Sequence, residues 1–303
     1  MDERTAEFER YRGRLFAIAY RMLGSRADAE DMVQEAYLRW HTTNAEVVRS
    51  SEAWLVTIVT RLCIDRLRAA SVERERYVGP WLPEPIAVEP ESSPEDKAEL
   101  ASSLSLAFLT LLERLSPEER AGFLLHEVFD CDYPTIARIL GEREAACRQM
   151  VHRARGRVRH DRSRFETNHE EQRHLLEQFT AAMHLADEEA LRAVFAPDIT
   201  LISDGGGKAP AATKIVSGID RVARLFAGVA TKWQGRVRYT PATVNGEPGL
   251  VMWHDAQPVS VLVIETAPEA RISSIYQQLN PDKLKDLITR LHHGGTHGTN
   301  QLS

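Results

Sequence analysis

The strongest chemical signal in the sequence is a concentration of arginine between positions 143 and 164. Eight arginines stand there against two acidic residues, Glu144 and Asp161. Guanidinium groups bind phosphate oxygens, so a helix with this charge is typical of a surface that faces a nucleic-acid backbone. An exposed basic helix without a ligand is the alternative that charge alone leaves open. The whole chain has a formal net charge of −6, so this positive charge is local.

The residues around this segment predict a helix-turn-helix. Residues 132–141 predict a short helix that turns Ile136, Ala137 and Leu140 inward and ends at a glycine. A second helix begins near Arg143 and fits the DNA major groove. Its expected buried residues are Ala146, Cys147, Met150, Val151 and Ala154. Its expected DNA contacts are Arg143, Glu144, Arg148, Gln149, His152, Arg153 and Arg155.

A second candidate surface, of opposite charge, lies on a helix predicted over residues 28–40. Helical spacing places one polar set along one face: Asp28, Asp31, Gln34 and Glu35. An apolar set falls on another face: Val33, Ala36, Tyr37 and Trp40. An acidic stripe fits a basic partner surface, and a solvated face is the alternative.

A third candidate surface lies on the helix predicted over residues 53–68. Its inward residues are Leu55, Ile58, Val59 and Leu62. On the opposite side we expect Thr57, Thr60, Arg61 and Arg68. The preceding loop, residues 44–52, is polar, and Trp54 beside it serves either as a stacking platform or as a core residue.

These surfaces belong to a chain with three blocks. The first is helical and free of proline, and five prolines between Gly79 and Lys97 then mark a linker. Helical pattern returns up to Arg164, after which two or three helices precede an antiparallel set of strands. The expected strands are 199–203, 236–244, 249–254, 259–266 and 270–278.

The motifs in the first two blocks resemble extracytoplasmic-function sigma factors. Residues 28–40 are similar to the sigma helix that docks on the clamp of RNA polymerase, and residues 53–68 to the helix that reads the −10 promoter element. Residues 111–120, 132–141 and 151–155 look like the region that reads the −35 element. The resemblance implies polymerase contacts at Asp28, Asp31, Gln34 and Glu35. It implies −10 contacts at Arg49, Ser50, Ser51, Thr57, Thr60, Arg61 and Arg68, with the loop capturing a flipped base.

The third block resembles the cone-shaped SnoaL-like fold, and three motifs are similar to a sigma subgroup with such a fused domain. The motifs are Trp81-Leu82-Pro83-Glu84-Pro85, Asp204-Gly205-Gly206-Gly207-Lys208 and Asn280-Pro281-Asp282-Lys283-Leu284. The resemblance implies that this domain binds the sigma core of the same chain and controls it. The proline-rich strip is stiff and apolar, suited to lodge in a groove between domains. A plain turn and a plain helix start are the alternatives for the other two motifs.

The expected fold class is therefore multidomain: two all-α sigma domains, the second with a helix-turn-helix, and then an α+β SnoaL-like domain. The expected boundaries are 1–77 for region 2, 78–97 for the linker, 98–165 for region 4, 170–290 for the C-terminal domain and 291–303 for a disordered tail. The expected partners are the RNA polymerase core, −10 and −35 promoter DNA, and the chain's own C-terminal domain.

Two rival functions remain open. Asp204, His254 and Asp255 could supply acid–base chemistry in an enzyme pocket, and a ligand-responsive helix-turn-helix regulator is the other alternative. Three widely spaced cysteines predict neither a disulfide framework nor a zinc site, and no cofactor or catalytic residue is expected. A histidine-rich tail is weak evidence for a metal. Without a signal peptide or an apolar span, the expected location is the cytoplasm, with no membrane partner.

Overall fold

The computed structural model describes residues 3–44, 48–88, 105–162, 168–267 and 269–291. The chain divides into two compact units. The first, the helical unit, joins Met1–Arg76 to Phe108–Arg162. The second, the C-terminal unit, joins Tyr77–Ala107 to Ser163–Ser303. The residues that follow the first helical block, from Tyr77 onward, therefore group with the C-terminal domain. The expected tail from 292 lies outside the described residues.

The helical unit contains only helices among its described residues. They are α1 Glu3–Leu23, α2 Arg26–Thr42, α3 Ser51–Glu75, α4 Leu106–Leu112, α5 Pro117–Glu127, α6 Tyr133–Leu140 and α7 Glu144–Arg162, with α4 beginning in the C-terminal unit. Side-chain oxygens of Ser25, Ser50, Ser116 and Asp132 cap the starts of α2, α3, α5 and α6, because the first helical N–H groups have no backbone partner. Ser116, for example, forms a reciprocal capping box with Glu119 at the start of α5. The all-α prediction is confirmed.

The C-terminal unit combines helices with one mixed sheet. Its helices are α8 His169–Leu185, α9 Glu188–Val194, α10 Ile219–Trp233 and α11 Pro281–Leu291. Its strands are β1 Ala87–Val88, β2 Phe195–Asp204, β3 Val216–Ser217, β4 Val237–Val244, β5 Glu247–His254, β6 Gln257–Ala267 and β7 Arg271–Gln278. They lie in the order β1-β4-β5-β6-β7-β2-β3. The α+β prediction is confirmed.

Two details of the sheet differ from the sequence prediction. The strands are not all antiparallel, because β2 pairs parallel to β7. The intervening α10 and the β4–β6 meander form the long crossover that a parallel pair requires. The other difference is β1, which comes from the linker and pairs with the end of β4 at the sheet edge. Prolines are tolerated at such edges, which explains why a proline-rich segment can join the sheet.

The two faces of the sheet have separate cores. One face packs against α8, α9 and α10 through a cluster that includes Phe179, Phe195 and Phe226. The other face packs against the linker and α11, through Leu82, Leu106 and Leu284 among others. The linker is therefore part of the fold of the C-terminal unit and covers apolar sheet surface.

The turn between β4 and β5 connects this fold to the linker. Asn245 and Gly246 have φ of 51° and 84°, the left-handed pair that a two-residue hairpin turn requires. The Asn245 Oδ1 accepts the Ile86 N–H at 3.0 Å, and the Asn245 N–H donates to the Ile86 carbonyl at 2.8 Å. The turn thus extends the backbone pairing of β1.

Inside the helix-turn-helix, burial shifts slightly from the expected pattern. In α6, Ile136 and Ile139 are buried, whereas Ala137 and Leu140 are only half-buried. In α7, Ala146 and Met150 are half-buried rather than buried. Cys147 is fully buried, as expected for a core residue, and burial raises the pKa of its thiol.

The described part of the chain contains no disulfide bond. Its three cysteines are free. No cluster of three or more potential metal ligands is found among those residues. None of their helices is both long and apolar enough to cross a bilayer.

Glu247, at the start of β5, should make the C-terminal unit less stable as pH rises. Burial and the neighbouring Glu265 charge raise the pKa of Glu247 from its ordinary 4.5 to about 7. The folded state then binds the proton more tightly, so this stabilisation is complete below pH 4.5 and is lost as pH rises through 7. We expect the free energy of unfolding to fall by up to about 2 kcal/mol between pH 5.5 and 8, relative to Glu247→Gln. Chemical denaturation of both proteins measures it, and parallel pH profiles would contradict it.

Candidate DNA-binding and linker-binding sites

The expected DNA-reading side chains of α7 are presented by a well-defined turn. Asp132 caps α6 by accepting the Thr135 N–H at 3.0 Å, and Gly141 ends that helix with φ of 72°. The next helix therefore starts in a new direction, which produces the helix-turn-helix. Five of the seven expected contacts are exposed: Arg143, Arg148, Gln149, His152 and Arg153. Glu144 and Arg155 are half-buried.

Acidic neighbours orient several of these arginines. Arg148 pairs with Glu144 and lies over the Tyr133 ring, 5.4 Å from its centroid. Arg153 lies 3.7 Å from Glu119, and Arg155 pairs with Glu127. The Arg148–Glu144 pair is exposed on both sides and therefore weak, so a phosphate can replace Glu144 at small cost. The surface is accessible and positively charged.

The acidic face of α2 is present as expected, and it includes a residue that the sequence analysis missed. Asp31 and Gln34 are exposed, while Asp28 and Glu35 are half-buried and pair with Arg66 at 3.1 Å and Arg39 at 2.8 Å. The apolar side of the helix is directed inward. Leu38 continues the outer stripe with 54% of its surface exposed. An apolar residue seven positions after Asp31 was the available signal.

Thr60 corrects the expectation for α3, because it is fully buried rather than exposed. The expected inward residues Ile58 and Leu62 are only half-buried. The reason is that α3 packs against α1 and α2 on one side and against α5 and α6 on another. The sequence showed only the first of these contacts, so the buried face was placed incorrectly. Thr60 cannot reach DNA in this arrangement.

Two arginines of α3 form hydrogen bonds with the second half of the helical unit. Arg61 donates to the carbonyls of Ile139 at 2.9 Å and Arg138 at 3.1 Å, at the C-terminal end of α6. A cation is favoured there because the last carbonyls of a helix carry partial negative charge. Arg68 donates to Glu118 at 2.7 and 3.0 Å. Both side chains would have to leave these partners before contacting DNA.

The residues before α3 make local contacts. Arg49 is exposed, and Ser50 caps the helix by accepting the Ala53 N–H at 3.3 Å. The hydroxyl of Ser51 donates to Glu7, and that of Thr57 donates to the Ala53 carbonyl at 2.6 Å. Trp54 is half-buried and packs on the core residue Trp40, with ring centroids 5.6 Å apart. Residues 45–47 of the expected base-capture loop lie outside the described residues.

The second site is a polar cluster in the C-terminal unit, centred on Asp204 at the end of β2. This carboxylate is fully buried. It accepts hydrogen bonds from five donors: Tyr77 Oη at 2.6 Å, Leu82 N at 2.9 Å, Gly206 N at 3.0 Å, Gln278 Nε2 at 3.2 Å and Lys283 Nζ at 2.7 Å. A buried charge requires such compensation. Burial and the bond to Asp204 also raise the pKa of Tyr77. We call this cluster, with the linker bound to it, the clasp.

Lys283 supplies the balancing charge of the clasp. Its Nζ also donates to the Leu82 carbonyl at 2.6 Å. The ammonium lies 4.0 Å from the centroid of the Trp81 ring and 5.1 Å from that of Tyr77. Aromatic faces stabilise a cation that is largely removed from water, and the Lys283 side chain is only 13% exposed. The ion pair therefore binds both the N–H and the carbonyl of Leu82 in the linker.

The three glycines beside Asp204 are required by close packing. A Cβ on Gly206 would lie 2.2 Å from the Asn280 Nδ2, and a Cβ on Gly205 would lie 2.4 Å from the Ala209 carbonyl oxygen. Gly206 and Gly207 also have positive φ, at 57° and 71°. The next residue, Lys208, pairs with Asp282. This segment is therefore more than a plain turn, because Gly206 packs closely against the third motif.

The remaining motif residues complete the clasp. Asn280 donates to the Tyr77 hydroxyl at 2.9 Å and accepts the Asp282 N–H at 3.1 Å, so it also caps α11, which begins at Pro281. Leu284 packs in the same core as Leu82. The last three residues of the linker motif are all buried: Pro83, Glu84 and Pro85. The structure brings the three sequence motifs together at one place. Sequence reasoning missed Tyr77 and Gln278, which lie outside the motifs.

Replacing Asp204 by Asn should destabilise the C-terminal unit by about 3 kcal/mol, because the ammonium of Lys283 would stay buried without its counter-charge. Asp198→Asn is the matched control, since Asp198 is an exposed residue of the same strand. We expect it to change stability by less than about 0.5 kcal/mol. Urea denaturation of both variants measures the difference. Equal stabilities would show that Asp204 does not hold the clasp.

Comparison with known proteins identifies related chains and a related fold. Family models for Sigma-70 region 2 and Sigma-70 region 4 match residues 8–72 and 105–158. The chain is 35% identical to the ECF RNA polymerase sigma factor SigJ of Mycobacterium tuberculosis over 92% of each protein. It is 30% identical to the probable ECF sigma factor SigI of that organism, over 97% of this chain and 99% of the relative. The crystal structure of SigJ superposes with a TM-score of 0.74, at 33% identity, covering 93% of this chain and 98% of that one. The chain therefore belongs to the extracytoplasmic-function family of RNA polymerase sigma factors.

Proposed function

We propose that the chain directs RNA polymerase to promoters and that its C-terminal domain controls this step by holding the linker. Within this proposal, Asp31, Gln34 and their neighbours on α2 bind the polymerase clamp. The residues of this proposal that contact −35 DNA are Arg143, Glu144, Arg148, Gln149, His152, Arg153 and Arg155. The residues that contact the −10 element are Arg49, Ser50, Ser51, Thr57, Arg61 and Arg68. Thr60 is buried and stabilises the packing of α3. The compartment we propose is the cytoplasm, where the polymerase works.

The single observation that carries the control step is the clasp. The linker connects region 2 to region 4, and Leu82 of the linker and Leu106 at the start of α4 pack on the same sheet face. Released and fully extended, residues 77–107 could span roughly 100 Å. When both ends are held on the sheet, these residues allow a far smaller separation between region 2 and region 4. Because the −10 and −35 elements are separate DNA segments, a held linker restrains the chain from engaging both.

The contacts of Arg61 and Arg68 support the same direction of control. Both side chains bind the second half of the helical unit, at α6 and at Glu118. Reading the −10 element requires these bonds to break, and separation of the two regions does so. Clasp release and DNA engagement are therefore linked, and each favours the other.

Run-off transcription with core polymerase on a promoter library tests the proposal. The full chain should support promoter-dependent initiation. At limiting polymerase, Asp204→Asn should raise the yield several-fold above Asp198→Asn, because it weakens the clasp. A charge reversal, Asp31→Lys with Gln34→Lys, should reduce polymerase binding at least tenfold, whereas Glu9→Lys on exposed α1 should not.

The outcomes separate two failures. If no variant initiates transcription, promoter direction is wrong and a ligand-responsive helix-turn-helix regulator becomes the leading alternative. If the parent chain initiates but Asp204→Asn equals Asp198→Asn, only the control step is wrong. A lower yield with Asp204→Asn, at a temperature where it stays folded, would reverse the sign of control.

An enzyme in the C-terminal domain finds little support in these residues. Asp204 is fully buried and its oxygens accept five hydrogen bonds, so it is not available to a substrate. His254 lies 3.7 Å from Asp255, but both are exposed. We therefore propose a non-enzymatic regulatory role for this domain, with no cofactor.

A further inference from the structure

The C-terminal unit contains a cavity that the sigma function does not explain. Its volume is about 670 Å³, within the range that holds a small organic molecule. It lies between the end of α10, the segment 208–212 and the start of α11. The interior behind it, between the sheet and Phe179 and Phe226, keeps only about 20 Å³, which is room for one water. A ligand would therefore occupy the outer cavity.

The lining of this cavity is mainly apolar, with polar groups at a few positions. Leu225, Trp233 and Leu284 are among its apolar walls. The charged side chains that line it among the described residues are both cationic, Lys208 and Lys232. An apolar chamber with two ammonium groups and no lining carboxylate favours a molecule that has an apolar body and an anionic group.

A buried hydroxyl faces the same cavity. Ser203 precedes Asp204 on β2, is 2% exposed and lines the chamber. A hydroxyl in the wall of the chamber can donate a hydrogen bond to an occupant or accept one from it. It is an observation independent of the two lysines.

From these features we propose that the cavity binds an amphipathic carboxylate of small-molecule size. The carboxylate is held by Lys232 and Lys208, and the apolar body lies along α10 and the base of α11. Lys208 at present pairs with Asp282, and both side chains are substantially exposed. That pair is weak enough to be replaced by a ligand carboxylate.

This site is adjacent to the clasp. Asp282 lies in the first turn of α11, directly before Lys283, which binds Asp204 and Leu82. Hydrogen bonds from Lys208 and Lys285 lower the pKa of Asp282 to about 2. A ligand that takes Lys208 from Asp282 changes the contacts at the start of α11. The coupling of ligand to linker rests on the proposed control step, whereas binding itself does not.

Calorimetric titration of the full chain with dodecanoate, below its micelle concentration, tests the site. We expect one molecule bound per chain, and at least tenfold weaker binding of dodecanol, which has the same chain without the charge. Lys232→Met should weaken dodecanoate binding roughly tenfold, and Ser203→Ala should weaken it several-fold. Lys214→Met is the matched control, because Lys214 is exposed and does not line the cavity.

Two results would overturn the proposal. Equal affinities for dodecanoate and dodecanol would show that the lysines select no anion. Unchanged binding by Lys232→Met, or an equal loss in Lys214→Met, would show that the anion binds elsewhere. Binding that survives in a chain unable to start transcription would leave the ligand site intact and reject only its regulatory use.

Discussion

The buried carboxylate of Asp204 is the interaction on which the C-terminal half of the structure depends. A charge without water must be matched by donors, and here these come from the linker, the glycine turn, β7 and α11. The ion pair with Lys283 is unlike a surface pair, because its partners are nearly inaccessible and both bind the same linker residue, Leu82. Removing one member leaves the other buried and unmatched. The linker is therefore bound by polar contacts that an apolar surface alone would not position.

This arrangement gives a physical route from a domain fold to control of promoter recognition. One apolar face of the sheet is covered partly by Leu82 of the linker between regions 2 and 4 and by Leu106 at the start of α4. Release of the linker therefore exposes apolar sheet surface and lowers the stability of the domain. In the helical unit, Arg61 and Arg68 are bound to α6 and Glu118, so the −10 contacts that we propose for them require regions 2 and 4 to separate. In the proposed control, the covalent linker transmits the effect of the clasp.

The sequence predicted the helices and strands better than it predicted which of them pack or pair with one another. Helical periodicity, the glycine of the helix-turn-helix and alternating strands carry local signals, and these yielded the fold class and the exposed face of α7. Thr60 was misplaced because a second packing surface of α3 comes from residues far along the chain. The parallel pairing of β2 with β7 has the same origin, since long-range pairing leaves no local pattern. The three clasp motifs were recognised, but Tyr77 and Gln278 were not, because a hydrogen-bond donor to a buried carboxylate looks in sequence like any polar residue.

Hydrogen exchange at the linker amides measures directly whether Asp204 holds the linker on the sheet. The Leu82 N–H is bound by Asp204 Oδ2 at 2.9 Å and the Ile86 N–H by Asn245 Oδ1 at 3.0 Å. We expect both amides to exchange far more slowly in the full chain than in an unstructured peptide. Asp204→Asn should accelerate Leu82 at least tenfold beyond any change at the core amides of β6. Exchange of Leu82 and Ile86 at the rate of an unstructured peptide, in an otherwise folded domain, would show that Asp204 and Asn245 do not hold the linker.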